Sequence, residues 1–396
     1  MKRIYPVLLL CITLSLAGYG CKEQDTSTSR FEEGEPDAPS DDGLPEWAIG
    51  PFTRVKSNPI LSPLDTEFYC PMNKKNVKWE ESDVFNPAAT VKNGKIVVLY
   101  RAEDNSATGI GLRTSRIGYA ESIDGVNMSR LDSPILYPKE DDQKAYDWKG
   151  GCEDPRVTMT EDGTYVMLYT GWNRDNVSGV KKVARLCVAT SKDLINWTKR
   201  GVAFSKAYNG RFLDLPCKSG SMVTKIKNGK LVAEKINGKY FMYWGETAVY
   251  AATSEDLINW EPILDDNNEL YKIIIPRNGY FDSRLTECGP PAIMTDKGIV
   301  LIYNGKNEIG EGRDTNYPAG TYAAGQLLLD AKDPLKPLER LDKPFFWPEA
   351  DFEKSGQYPD GTVFTEGLTY LNGKLYMYYG CADSFVALAT CNYPAK

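Results

Sequence analysis

Seven consecutive residues bring together the side chains that acid–base chemistry uses. Residues 150–156 read Gly-Gly-Cys-Glu-Asp-Pro-Arg, so two adjacent carboxylates, Glu153 and Asp154, stand beside an arginine. The glycines and the proline favour a tight and defined backbone. Rigid scaffolds often present catalytic groups on such loops. Taken alone, a Glu-Asp-Pro sequence is more often a turn with solvated charges, so the chemical interpretation depends on further residues of the same kind.

Four more segments place an acidic residue at the end of an apolar run, beside glycine, proline or an aromatic residue. They contain Glu103-Asp104, Glu246, Glu287 and Asp383. Each one alone is more often a solvated or salt-bridged turn residue, but together they predict one site built from several loops. Facing carboxylates suit glycosidic-bond cleavage, in which one acid protonates the leaving oxygen and a separated base activates water.

The elements that must position these residues follow a repeated pattern. Short runs rich in Val, Ile, Leu and Tyr follow Asn-Gly, Asp-Gly or Lys-Gly turns, which predict β-hairpins, at residues 91–100, 160–169, 235–244, 295–303 and 370–379. The sequence Ala-x-Ser-x-Asp recurs at residues 120–124, 189–193 and 252–256. No long helical periodicity competes with the strands. The pattern predicts an all-β, five-bladed β-propeller with a central, funnel-shaped active site.

Composition excludes several classes of function. The chain has 396 residues, a net charge of -7, a pI near 5.1 and no histidine. The acidic balance argues against a nucleic acid partner. The lack of histidine removes imidazole acid–base chemistry and histidine metal sites. The seven cysteines after Cys21 are widely spaced and contain no Cys-x-x-Cys pair, which argues against a zinc ribbon.

The N-terminus resembles a bacterial lipoprotein signal. Lys2-Arg3 precede an apolar run that ends in small residues before Cys21. We therefore expect a signal peptide at residues 1–20, lipidation of Cys21 and a flexible polar tether at residues 21–48, followed by the propeller domain at 49–396. This organisation predicts a protein of the bacterial cell envelope that contacts the membrane through its lipid anchor alone. The alternative is an ordinary signal peptide with an incidental cysteine.

Five motifs together resemble glycoside hydrolase family 130. They are Phe85-Asn86-Pro87-Ala88, Tyr100-Arg101-Ala102-Glu103-Asp104, Glu153-Asp154-Pro155-Arg156, Glu287-x-Gly289-Pro290-Pro291 and Tyr378-Tyr379-Gly380-Cys381-Ala382-Asp383. The resemblance runs over about residues 55–393. It implies a five-bladed propeller that cleaves β-mannosides with inversion. In the family that this chain resembles, most members are phosphorylases. A smaller branch, which includes proteins similar to Bacteroides β-1,2-mannosidases, consists of hydrolases.

The resemblance also implies roles for individual residues. Asp154 is expected to be the general acid, which protonates the leaving oxygen through a sugar hydroxyl. Lys218 corresponds to a basic residue near the reacting centre. The residues expected to line the sugar pocket are Asn86, Arg101, Asp104, Arg156 and Asp383, and Lys218 and Asn304 are also expected to bind the substrate there.

Two departures from the phosphorylase pattern concern the phosphate site. Where phosphorylases carry Tyr-His-Gly, this chain has Asn304 between Tyr303 and Gly305, and where they tend to carry His-Arg-Pro it has Trp244-Gly245-Glu246. A phosphate dianion needs clustered donors and cations. A carboxylate in their place repels the anion by several kcal/mol at about 4 Å. Glu246 and Glu287 match the positions of the water-activating glutamates of the hydrolases, so we assign them jointly as the base. The alternative is that one of them orients a lysine or arginine.

Three hypotheses therefore remain. The first is an inverting, exo-acting β-mannosidase that acts on a mannose-containing oligosaccharide, with β-1,2 linkages favoured. The second is a β-mannoside phosphorylase with an atypical anion site, and the third is a non-catalytic glycan-binding propeller on the cell surface. The proposed chemistry requires no metal and no cofactor, although acidic clusters also bind calcium.

Overall fold

The computed structural model describes residues 43–175 and 179–394, which are almost entirely β-structure. The predicted signal peptide, Cys21 and most of the predicted tether lie outside these residues. Trp47 and Ile49 are already buried, and the Trp47 indole donates a 2.7 Å hydrogen bond to Glu339. The ordered core therefore begins slightly before the boundary expected at residue 49. Within the described ranges, no helix has the length and apolar character needed to cross a bilayer.

The strands form successive antiparallel sets along the chain, which we number from the first. Set 1 contains β4 (Asp83–Lys92), β5 (Lys95–Glu103), β6 (Ser115–Ser122) and β7 (Ser129–Arg130), and it follows a separate hairpin of β2 (Leu64–Cys70) and β3 (Lys75–Glu80). Set 2 contains β8 (Gly151–Met159), β9 (Tyr165–Trp172), β10 (Ala184–Ser191) and β11 (Thr198–Val202). The predicted hairpin at Asn93-Gly94 is confirmed, because this pair connects β4 and β5.

The later sets are built from shorter pieces. Set 3 contains β12 (Gly220–Lys227), β13 (Lys230–Ala233), β14 (Lys235–Ile236), β15 (Lys239–Trp244), β16 (Val249–Ser254), β17 (Glu261–Pro262) and β18 (Lys272–Ile274). Set 4 contains β19 (Leu285–Cys288), β20 (Ala292–Met294), β21 (Ile299–Lys306), β22 (Tyr322–Leu329) and β23 (Pro337–Arg340). The helical segments described are short: α1 (Lys144–Asp147) and two 3₁₀ turns, Ala207–Gly210 and Asp351–Glu353.

Set 5 joins the two ends of the folded part. It contains β24 (Val363–Leu371), β25 (Lys374–Cys381) and β26 (Phe385–Asn392), and the N-terminal β1 (Thr53–Arg54) pairs with β26. Arg54 reinforces this junction, because it forms an ion pair of 2.7 Å with the buried Glu353. The all-β prediction is confirmed. The five-bladed propeller stays a prediction.

Apolar side chains fill the spaces between neighbouring sets. One cluster packs Leu99 and Ile117 of set 1 against Val157 and Tyr169 of set 2. The seven described cysteines are buried and none is paired, so the described residues are stabilised by burial of apolar surface without a disulfide.

Three strands that lie against one another, β4, β8 and β24, each contain a β-bulge that changes the direction of a polar side chain. The strand register shifts between Phe85 and Pro87, between Glu153 and Arg156, and between Thr365 and Gly367. The residues left between these positions include Asn86, Asp154 and Glu366. Asn86 and Asp154 have positive φ angles of 46° and 47°. A bulge adds an unpaired residue and re-aims its side chain, so these strands can present polar groups although their neighbours are buried.

Glycine is required next to Asp154. Gly151 has a φ angle of +116°, and a Cβ atom there would lie 2.1 Å from the backbone oxygen of Ser115. The two residues bridge β6 and β8 in parallel register. The glycine of the Gly-Gly-Cys-Glu-Asp-Pro-Arg sequence therefore allows close approach of two backbones, which holds β8 against set 1.

Candidate active site

The strand ends converge on a cavity of about 300 Å³. Its wall receives side chains from loops and strands that lie far apart in the sequence. Seven residues predicted for the site lie on this wall: Asn86, Arg101, Asp154, Lys218, Glu246, Glu287 and Asp383. The fold thus brings together residues that the sequence distributes over about 300 positions.

Asp154 is held by donors. Asn86 Nδ2 and Arg101 Nη1 each donate a hydrogen bond of 2.9 Å to Asp154 Oδ1. Burial opposes ionisation, but the charges of Arg101 and Lys218 and the hydrogen bond from Asn86 outweigh it and lower the pKa of Asp154 to about 2. In the empty cavity Asp154 is therefore a carboxylate.

Arg101 organises three carboxylates at once. Its Nη2 donates to Glu103 Oε1 at 2.7 Å and to Glu153 Oε1 at 3.0 Å, in addition to the contact with Asp154. The guanidinium also lies 4.6 Å from the ring centre of Phe85. A planar fork with five donors is suited to this task, and a lysine would not reproduce it.

Glu246 and Glu287 face the same cavity, and the pKa of each is raised. Burial raises the pKa of Glu246. Burial, and after it the charge of Glu246, raise the pKa of Glu287 to about 8. Near neutral pH the free site therefore holds a proton on Glu287 and none on Asp154, so the two carboxyls differ in charge.

Asp383 occupies another part of the wall. Burial raises its pKa to about 7, although the charge of Arg101 opposes this shift. Its backbone oxygen accepts a 2.9 Å hydrogen bond from Gln357 Nε2, and its φ angle is +53°. A half-protonated carboxyl can both donate to and accept from sugar hydroxyls.

Three residues expected to line the pocket lie behind its wall instead. Asp104 forms a 2.8 Å ion pair with Arg116, and Asn304 bonds to the backbone and hydroxyl of Thr365. Arg156 donates to the carbonyl oxygens of Asp154, Cys288 and Gly289. All three are buried, and their polar groups contact protein atoms. The motif pattern did not distinguish residues that line the cavity from residues that support its wall.

Several wall residues were missed by the sequence reasoning. Glu103 was noted only as part of a motif, and Tyr322, Gln357 and Tyr358 were not singled out. Gln357 and Tyr358 lie on the connection between β23 and β24, which contains no strand or repeated motif. Its only signal is a cluster of Gly, Pro and aromatic residues around position 358.

The cavity contains both cations and carboxylates. Arg101 and Lys218 supply the positive charge, and Lys218 Nζ lies 3.7 Å from Glu153 Oε2. The described residues contain no group of three Cys, Asp or Glu side chains arranged to hold a metal ion. What the cavity offers to a ligand is hydrogen bonding and proton transfer by carboxyl groups.

An all-β fold that gathers separated carboxyls, cations and tyrosines in one cavity is the arrangement expected of proteins that act on glycosides. The chain belongs to glycoside hydrolase family 130. The family model, described as β-1,4-mannooligosaccharide phosphorylase, matches residues 52–394. This confirms the family predicted from the five motifs.

The similar proteins include one described as a phosphorylase and one described together with glycoside hydrolases. The chain is 35% identical to a 1,2-β-oligomannan phosphorylase of Thermoanaerobacter sp. (strain X514), over 85% of this chain and 95% of the relative. A crystal structure from Bacteroides ovatus ATCC 8483 is 68% identical, with a TM-score of 0.83, and the match covers 88% of this chain and 98% of that one.

A further solved structure is described together with the finding that family 130 of mannoside phosphorylases contains glycoside hydrolases that target β-1,2 mannosidic linkages in Candida mannan. It is 57% identical to this chain, with a TM-score of 0.85. The match covers 89% of this chain and 97% of that chain.

Proposed function

We propose that this protein is an inverting exo-β-mannosidase that hydrolyses β-1,2-linked mannose, and that its five antiparallel sets are the blades of a five-bladed propeller around the cavity. The observation that carries the proposal is the position of Glu246 and Glu287 together on the cavity wall. If phosphate attacked the glycosidic bond, cations and hydrogen-bond donors would be needed where Glu246 and Glu287 lie. Two carboxyl groups at this position suit an attacking water molecule instead. The hydrolases described with the 57% identical structure support the same choice.

An inverting reaction is a single displacement, in which one carboxyl donates a proton on one side of the bond while another accepts a proton on the other side. Asp154 gives a proton, through a sugar hydroxyl, to the oxygen that leaves as the bond to the anomeric carbon breaks. Glu287, with Glu246 beside it, takes a proton from the water whose oxygen bonds to the opposite face of that carbon. In the free site Asp154 is ionised and Glu287 is protonated, so on substrate binding the proton must pass from Glu287 to Asp154 before the bond breaks. This transfer makes Asp154 the acid and leaves Glu287 as the carboxylate that accepts the proton of the water. The sugar displaces water around Asp154 and thereby supplies a physical cause for that transfer.

Phosphorolysis is the second candidate, and two observations favour it. Arg101 and Lys218 both reach the cavity, and the 35% identical Thermoanaerobacter relative is a phosphorylase. Arg101, however, already contacts Glu103, Glu153 and Asp154, so part of its charge is neutralised. The cations therefore serve better to hold carboxylates and sugar hydroxyls than to bind a free dianion.

The assay that separates the two reactions uses β-1,2-mannobiose with and without phosphate, and identifies the products. We expect free mannose at the same rate in both conditions. Formation of mannose 1-phosphate that depends on phosphate would establish phosphorolysis and overturn the hydrolase proposal. Binding of the disaccharide without turnover of any β-mannoside would instead support a glycan-binding protein.

We also propose that the mature protein is anchored to the cell envelope by a lipid on Cys21. Support comes from the charged residues, apolar run and small residues before this cysteine. Replacing it, in Cys21→Ser, is expected to move the protein from the membrane fraction to the soluble fraction of the producing cells. A variant that stays in the membrane fraction and is processed like the wild type would contradict lipidation at this position.

A further inference from the structure

A buried glutamate in β24 has no assigned role in the reaction. Glu366 lies at the bulge of β24, just as Asn86 and Asp154 lie at the bulges of β4 and β8. The three strands lie against one another, so their bulges point polar groups into the same part of the molecule. Two of these three residues already belong to the cavity wall. The third lies beneath it.

Glu366 is fully buried and poorly satisfied. Its side chain has 0% exposure, and neither carboxyl oxygen has a hydrogen-bond partner among the described residues. Its Oε1 lies 3.0 Å from Arg156 Nη2, which is close enough for an ion pair but outside hydrogen-bond geometry. Burial raises the pKa of Glu366 well above its usual range, against the charge of Arg156. A carboxyl placed at such an energetic disadvantage needs a compensating function.

Arg156 connects the strands that carry Asp154 and Glu287. Its Nη1 donates to the backbone oxygen of Asp154 at 3.2 Å. Its Nη2 donates to the oxygen of Cys288 at 2.9 Å, and its Nε donates to the oxygen of Gly289 at 3.0 Å. The residue before Cys288 is Glu287. One rigid guanidinium therefore fixes the backbone beside the acid relative to the backbone beside the base.

Glu366 is the carboxyl that faces this guanidinium. Among the described residues, no other carboxylate lies within 4 Å of Arg156, which is itself 2% exposed. Asn304 supports the arrangement from the neighbouring strand, because it pairs with Glu287 in the β19–β21 register and bonds to Thr365 beside Glu366. The two predicted residues that lie behind the wall at this point, Arg156 and Asn304, thus belong to one network.

We propose that Glu366 is a positioning residue that holds the Arg156 guanidinium in place and thereby sets the separation between Asp154 and Glu287. The inference rests on the proposed function, because it concerns the geometry of the acid and base. It does not require Glu366 to touch the sugar. The distance between the two carboxyls determines whether a water molecule fits between base and anomeric carbon, so small movements of this support have large effects on rate.

The test compares kcat and KM of Glu366→Leu, which keeps most of the side-chain volume and removes both oxygens. We expect kcat to fall by about 10- to 100-fold while KM changes less than about threefold. The matched control is Glu80→Leu, because Glu80 is also fully buried and forms an ion pair of 2.9 Å with an arginine, Arg130, but does not line the cavity. It is expected to lose stability with kcat retained.

A double-mutant cycle shows whether Glu366 acts through Arg156. Once Arg156→Lys has removed the rigid guanidinium, adding Glu366→Leu is expected to lower kcat by less than about twofold more. Effects that multiply, or a Glu366→Leu enzyme with the kcat of the wild type, would overturn the proposal. If Glu366→Leu does not fold, Glu366→Gln takes its place in the same cycle with the same criteria.

Crystal structures provide a readout that does not depend on turnover. In Glu366→Leu we expect Arg156 to release the oxygen of Asp154 or of Cys288, with a changed distance between the carboxyls of Asp154 and Glu287. An unchanged separation would overturn the positioning role. A wild-type protein without activity on any β-mannoside would overturn only the proposed function, because this structural comparison would still decide the role of Glu366.

Discussion

Replacing the acid, in Asp154→Asn, is expected to lower the hydrolysis of β-1,2-mannobiose by about 1,000-fold, because the sugar leaving group then departs without a proton. The same variant should retain much more activity on an aryl β-mannoside with an acidic phenol, which leaves readily as an anion. The measurement is kcat for both substrates. This contrast between leaving groups isolates proton donation from other effects of the substitution.

The control for this prediction is Asp282→Asn. Asp282 is also fully buried and bonded to arginines, Arg277 and Arg340, but it does not line the cavity. We expect a loss of stability with turnover preserved. If Asp154→Asn slows both substrates equally, Asp154 orients the sugar and another group donates the proton. This comparison tests the assignment of Asp154 as the acid directly, because its pKa of about 2 leaves it without a proton in the free site.

Replacing the base, in Glu287→Gln, is expected to have a similarly large effect, of about 1,000-fold on kcat. Azide needs no deprotonation to attack, so it should restore turnover and give α-mannosyl azide if the reaction inverts the β-mannoside. Analysis of the products by NMR distinguishes the anomers. Failure of azide to restore any activity in the folded variant would argue against a base role for Glu287.

The pH profile provides the companion test for Glu246. The free site holds one proton between Asp154, with a pKa of about 2, and Glu287, with a pKa of about 8. Hydrolysis needs that proton, so kcat/KM is expected to fall as the pH rises through about 8, where Glu287 loses it. Glu246→Gln removes a like charge, which lowers the pKa of Glu287 and moves this decline to lower pH. An unmoved decline would show that Glu246 does not act on Glu287.

The sequence predicted the wall of the site better than its support. Asn86, Asp154 and Asp383 stand in motifs with proline or glycine, and such motifs are visible in a single sequence. Arg156 stands in the same motif as Asp154, but its direction depends on a bulge two residues earlier. A change of register moves a side chain to the other face of the sheet, and the sequence alone does not fix that register.

The position of Glu366 carries a signal in the sequence, but its partner does not. Glu366 is the one charged residue of the segment Val363–Leu371 and is followed by Gly367, and an isolated glycine within a strand pattern suggests a bulge. Its partner was not predictable, since Arg156 lies in another set and the two meet only after the sets assemble. The repeated turns indicated the strands, while the long-range pairing of the sets depends on packing that local patterns do not encode.

The pairing of β1 with β26 has a consequence for synthesis on the ribosome. Thr53 and Arg54 are among the first folded residues to be made, and their partners Thr390 and Ala389 are among the last. During synthesis and the proposed export, the N-terminal segment cannot form these backbone pairs until nearly the whole chain is available. Contacts between residues so distant in sequence form slowly, since loop closure precedes any stabilisation. A nascent chain that stalls before β26 would therefore remain open at this seam, exposed to chaperones and proteases.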